Sequence, residues 1–164
     1  MAISTPKELF VNLLSQLRQG ADRSVSVYEI LGEAADNPEI KEALDARQLI
    51  AGQVLSRLDE CFKLIGEKPV KVGGRLYDVF VEDFKTEVAE IKSPVARRLF
   101  VLAKANRLMH LRAGEYIALI AVADTLGHPA VGVLLESCLA DKLAFMERTR
   151  RLIREQVQQR VAAA

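Results

Sequence analysis

Four segments of this chain repeat an apolar side chain every three then four residues, each over a longer stretch than an ordinary globular helix, and that period commits the chain to long amphipathic helices. The first stripe is Phe10, Leu14, Leu17, Ala21, Ser24 with Val25, Tyr28 and Leu31. The second is Ile40, Leu44, Arg47, Ala51, Val54, Leu58, Cys61 and Ile65. The third runs Leu102, Ala105, Met109, Arg112, Tyr116, Ile120 and Ala123, and the last Leu134, Cys138, Asp141, Phe145, Arg148 and Leu152. No stretch keeps a strand's two-residue alternation for long.

The punctuation falls at helix ends. Thr5-Pro6-Lys7-Glu8 has the form of a capping box with proline in the first turn, and Asn37-Pro38 and Ser93-Pro94 repeat the cap-then-proline signal. Gly66 and Gly127-His128-Pro129 are stops. A shorter helix is predicted from Leu76 to about Ile91, with Val79, Phe80, Phe84 and Val88 inward, after a Gly73-Gly74 loop. Interior glycines at 20, 52 and 114 each cost about 1 kcal/mol against alanine, and close helix approach is the compensation expected. The prediction is one all-α domain over residues 1–164, a four-helix bundle spanning about 5–158 with a frayed tail from Val161.

Composition narrows the function classes. Lys plus Arg number 23 against 22 Asp plus Glu, so the net charge is +1 and the basic excess of a nucleic-acid binder is missing. The longest uncharged apolar run, Tyr116 to Ala123, is far short of a membrane span. The first eight residues carry no basic region followed by an apolar core, so no secretory signal is expected. Cys61 and Cys138 cannot by themselves build a disulfide framework or a zinc site; on apolar stripes they read as small buried hydrophobes, in a protein expected to be cytoplasmic.

A series of short phrases in a fixed order carries a family likeness from Thr5 to about Leu152. The matching phrases are Glu8-Leu9-Phe10 with Leu13-Leu14-Ser15, Ala34-Ala35-Asp36-Asn37-Pro38-Glu39, Gly52-Gln53-Val54 before Arg57-Leu58, and Gly66-Glu67-Lys68-Pro69. His110, Tyr116, Leu126-Gly127, Leu134-Leu135 and Leu139 continue the series, and in this order the segments resemble the YciE/YciF family of ferritin-like bacterial proteins. The resemblance implies an all-α, ferritin-like four-helix bundle with an additional short helix between the second and third long helices. It also implies a dimer linked to stress responses, and a two-metal centre with a glutamate from each of two helices and Glu-x-x-His pairs from the others.

The chain departs from that pattern at the metal ligands. The family's first-helix glutamate falls on Ala21. The second-helix ligand phrase meets Arg47-Gln48-Leu49-Ile50-Ala51-Gly52-Gln53, the third reads Met109-His110-Leu111-Arg112 and the fourth Ala140-Asp141-Lys142. Only His110 and Asp141 remain, and Glu-x-x-His occurs nowhere, since Arg107 and Thr125 stand three before the two histidines. A dinuclear site needs about four carboxylates in one layer, so no metal, cofactor or catalytic residue is expected.

Arg47 and Arg112 fall where the period predicts inward side chains, which is expensive for an arginine without a partner. Three explanations are open: an anion site between the helices, a guanidinium paired with Asp141 and with Asp22 or Tyr116, or snorkelling to the surface. The pairing of Arg112 with Asp141 is the specific expectation. His110, beside inward Met109, reads as a partly buried hydrogen-bonding residue and His128 as a turn residue. Arg148, Arg150, Arg151 and Arg154, bracketed by Glu147 and Glu155, read as a solvated helix end.

Three functions compete. The first is a non-enzymatic bundle that has lost its di-metal site and serves as a structural or partner-binding, stress-associated protein. The second is a di-iron ferroxidase or peroxide-consuming enzyme with an aberrant ligand set, and the third a small-anion binder using the interior arginines. Two-sided apolarity of the segments Pro94–Leu126 and Val131–Phe145 predicts a homodimer, with a further protein partner open and neither nucleic acid nor membrane expected.

Overall fold

A computed structural model describes residues 3–162, without the side chains of 159–162. Five helices follow in order: α1 Pro6–Ala35, α2 Pro38–Leu64, α3 Leu76–Ala89, α4 Pro94–Thr125 and α5 Pro129–Ala162. The predicted caps form. Thr5 and Glu8 exchange both hydrogen bonds of a capping box, and the side chains of Asn37 and Ser93 accept from the Ile40 and Ala96 amides. Gly66 and Gly127 sit at φ 69° and 75°, the left-handed turn that ends a helix and suits glycine. The helix expected to fray at Val161 continues to Ala162, and residues 163–164 lie outside the described part.

Helix α1 packs on α2 and α4, α5 packs on α2 and α4, and α3 lies across α1 and α4. Phe10 stacks on His128, Leu17 meets Arg112 and Tyr28 meets Met109, so α1 and α4 are antiparallel. The contacts Glu42–Arg148, Arg47–Phe145 and Arg57–Asp141 make α2 and α5 antiparallel as well. Helices α2 and α4 therefore run the same way, and the segment carrying α3 is the single long crossover between them, the connection typical of ferritin-like bundles.

The stripes of α1, α2 and α4 are buried nearly as the spacing predicts, with Val25, Ile65 and Ile120 at their margins. Two expectations fail. In α3 the inward residues are Tyr77 and Phe84, while Val79 is exposed, because this short helix presents only a narrow edge to α1 and α4. In α5 the stripe is offset: the buried set is Val131, Leu135, Cys138, Lys142, Phe145, Thr149, Leu152 and Gln156. Leu134, Asp141 and Arg148 lie about 100° round from the positions expected of them, half-buried at the flank.

The core divides into two apolar clusters. One holds Tyr28, Leu31, Leu44, Leu102, Met109 and Phe145, the other Phe10, Leu14, Leu58, Tyr116, Leu135 and Cys138. At their junction each long helix contributes one buried polar residue: Ser24, Arg47, Arg112 and Lys142.

Candidate interior polar layer

Arg47, Arg112 and Lys142 are 3%, 4% and 2% exposed, so snorkelling is excluded for the arginines. With Ala21, Ser24, Tyr28, Ala51, Val54 and Met109 they line a cavity of about 10 Å3, room for one water-sized occupant.

Arg112 is the best-satisfied of the three. Its Nη2 donates to the Leu17 carbonyl at 2.7 Å, its Nη1 pairs with Glu115 Oε2 at 2.5 Å, and its guanidinium lies 5.8 Å from the Tyr116 ring centre. The expected Arg112–Asp141 pair does not form. Asp141 sits off the buried stripe and is held at 2.5 Å by Arg57 of α2, both side chains being about three-tenths exposed. Glu115, one turn along α4, takes its place as the carboxylate, and Asp22 is exposed.

Arg47 places its guanidinium 6.0 Å from the Phe145 ring centre, yet its Nε and Nη1 have no hydrogen-bond partner among the described residues. The Lys142 ammonium lies 3.9 Å from the Tyr116 ring centre and donates to the Cys138 carbonyl at 3.4 Å. Burial, reinforced by the charges of Arg47 and Arg112, pushes its pKa from 10.5 down to about 7. Burial likewise raises Tyr28 and Tyr116 and pushes Tyr77 up to about 12, so the phenols stay protonated.

His110 is not part of the layer. It is exposed on the outer side of α4, where Nδ1 donates to the Asn106 carbonyl at 2.9 Å, because its 100° offset from Met109 carries it out of the core. Cys61 and Cys138 are fully buried, and burial raises both thiols, Cys61 to about 12, which suits inert packing. Lys142, Glu115 and Tyr77 escaped the sequence reading. A stripe through Leu135, Cys138, Lys142, Phe145 and Thr149 has the same spacing as the one through Leu134 and Asp141, and was available as a signal for Lys142.

A carboxylate-bridged two-metal centre does not fit this donor set. The layer offers three cationic side chains, a thioether and alanines where oxygen ligands belong, and the described residues contain no group of three or more His, Cys, Asp or Glu placed to hold a metal ion. No helix among the described residues is long and apolar enough to cross a membrane.

Topology and helix packing define a ferritin-like bundle, and similarity to known proteins agrees. Residues 5–162 match the family described as a domain of unknown function, DUF892, and the chain belongs to that family. Its fold resembles the stress protein YciF of E. coli, with TM-score 0.89 and 18% identity over 95% of this chain and 99% of that one. YcfI of Rhodopseudomonas palustris superposes with TM-score 0.85 and 23% identity, covering 90% and 94% of the two chains. A protein of Xanthomonas campestris gives 0.72 and 18%, covering 96% and 95%. No protein with a curated description matches in sequence.

Proposed function

We propose that this chain is a ferritin-like bundle that has given up its di-metal centre and acts without redox chemistry, as a structural or partner-binding dimer. The observation that carries this reading is the junction layer, where Arg47, Arg112 and Lys142 stand among Ala21, Ala51 and Met109. Cations there repel a metal ion, and the nearest acid bonded to any of them, Glu115, is committed to Arg112. The same layer speaks against a di-iron ferroxidase with altered ligands. Exposed Leu111 and Ile117 on α4 and Val133 and Leu143 on α5 support a homodimer. A stress-associated role is proposed by analogy with YciF, a stress protein of E. coli, a structural role by analogy with YcfI, a proposed structural protein, and a cytoplasmic location from the two free, buried cysteines.

Elemental analysis of protein purified without chelator tests the reading. Iron, manganese and zinc well below one equivalent per chain are expected. One equivalent or more, coordinated in the interior, would overturn it.

A further inference from the structure

We propose that the cavity at the junction of the two apolar clusters binds one small monovalent anion of halide size, coordinated by Arg47 and Lys142, with Arg112 adding positive potential from α4. The inference rests on the reading above, that this layer no longer carries metal ligands.

Hydrogen-bond supply points to an acceptor. Arg47 lines the cavity almost wholly buried, and its Nε and Nη1 have no partner among the described residues. A guanidinium has donors only, so nothing but an acceptor can satisfy it, and an arginine buried with free N–H groups is costly. The Phe145 ring, 6.0 Å away, offers Arg47 no more than a weak electrostatic contact.

Charge supply points to an anion in particular. The two carboxylates nearest the layer are already engaged, Glu115 with Arg112 and Asp141 with Arg57. Neither Arg47 nor Lys142 has an ion-pair partner among the described residues, so two or three positive charges border one cavity in a medium of low polarity. A water molecule could accept hydrogen bonds there but would leave that charge unbalanced.

Size limits the ligand. Ala21, Ser24 and Ala51 have small side chains and open only about 10 Å3 between them, room for one water-sized particle. A halide, slightly larger than water, seats with a small outward shift of the flexible Arg47 and Lys142 side chains, whereas phosphate, sulfate or a carboxylic acid is far too large. The titratable groups around Lys142 are Tyr28 from α1, Arg47 from α2, Arg112 and Tyr116 from α4, and Cys138 and Asp141 on α5. Among these Lys142 is the one that changes charge near neutral pH, so anion binding and its protonation favour each other.

Melting of the full-length protein in sodium chloride and in sodium gluconate of equal ionic strength tests the proposal, gluconate being far too large for the cavity. Chloride is expected to raise the melting temperature saturably, by about 2–4 °C, and more at pH 6 than at pH 9. Arg47→Met should abolish the chloride increment. Equal melting in the two salts, or an undiminished increment in the variant, would overturn the proposal. Crystals of the unaltered protein grown in sodium bromide give a second readout that does not depend on the variant folding. An anomalous peak in contact with Arg47 and Lys142 is expected, and its absence at high occupancy of other bromide sites would overturn the assignment. Metal content of the same sample is read separately, so failure of the anion proposal and failure of the metal-free reading remain distinct.

Discussion

Gly20 on α1 stands where the Arg112 guanidinium of α4 passes. A Cβ at residue 20 would fall 2.7 Å from Arg112 Cζ and 2.6 Å from the Tyr77 hydroxyl, inside contact distance of both. The glycine makes room for a buried arginine that bridges Glu115 and the Leu17 carbonyl, with the Tyr77 ring covering the same spot from α3. Gly20→Ala should therefore destabilise the protein by about 1–3 kcal/mol, the overpacking cost outweighing alanine's better helix propensity. Urea unfolding measures it; a stabilised variant would contradict the close approach.

The other two interior glycines give the opposite expectation. A Cβ at Gly52 or Gly114 meets nothing within 4 Å, so the close helix approach predicted for them is absent. Gly52→Ala and Gly114→Ala should each stabilise by about 0.5–1 kcal/mol through helix propensity and a less flexible unfolded chain. Thermal melts of the single variants and the pair, with near-additive gains, check this.

These positions show how far the sequence could be read. The stripes of α1, α2 and α4 were legible because each contains enough large apolar residues to fix one face. Arg47 and Arg112 were thus placed inward correctly, as one-residue interruptions of otherwise apolar faces. Helix α5 was less determined. Leu134 and Leu135 are both apolar, and Cys138, Phe145 and Leu152 fit two stripes, so the choice between Asp141 and Lys142 had no apolar residue to decide it. Side-chain partners were not legible either. Arg112 found Glu115 on its own helix, and Asp141, turned to the flank, came within reach of Arg57 across the α2–α5 contact.

The two carboxylates should differ in worth. Asp141→Asn breaks a pair in which both side chains remain about three-tenths exposed, and should cost no more than about 1 kcal/mol. Glu115→Gln leaves the guanidinium of Arg112, only 4% exposed, without its counterion and should cost about 2–4 kcal/mol, discounted from a fully buried pair because Glu115 itself reaches solvent. Chemical denaturation of both variants under one set of conditions decides it, and equal losses would refute the assignment of partners.

Assembly follows from the faces left uncovered. Helix α3 lies against α1 and α4 and joins buried Tyr77 and Phe84 to the cluster containing Leu108, but Leu111 and Ile117 on α4 stay exposed. A homodimer that buries part of this surface should sediment at twice the chain mass at micromolar concentration. Leu111→Glu combined with Ile117→Glu should shift it to monomer without loss of helicity. A wild-type monomer at that concentration would dispose of the dimer.

Stability should climb with pH on account of Lys142. Its pKa falls from 10.5 in an exposed lysine to about 7 in the fold, through burial and then the charges of Arg47 and Arg112. Between those values the unfolded chain keeps a proton that the folded chain has released, so alkali favours folding across that window. The gain is fully present above about pH 10.5 and is lost as pH falls through about 7, where the ammonium must remain charged inside the bundle. The slope contributed by this single group approaches about 1.4 kcal/mol per pH unit in the middle of the window. Replacing the lysine by an apolar residue of similar length, Lys142→Met, removes the buried charge. The variant should exceed the wild type in stability most at pH 6, and its excess should shrink steadily towards pH 9. Denaturation at intervals of one pH unit measures both curves in low-chloride buffer, which keeps any anion from masking the lysine's charge. Parallel curves for the two proteins would mean that Lys142 keeps an ordinary pKa in the fold.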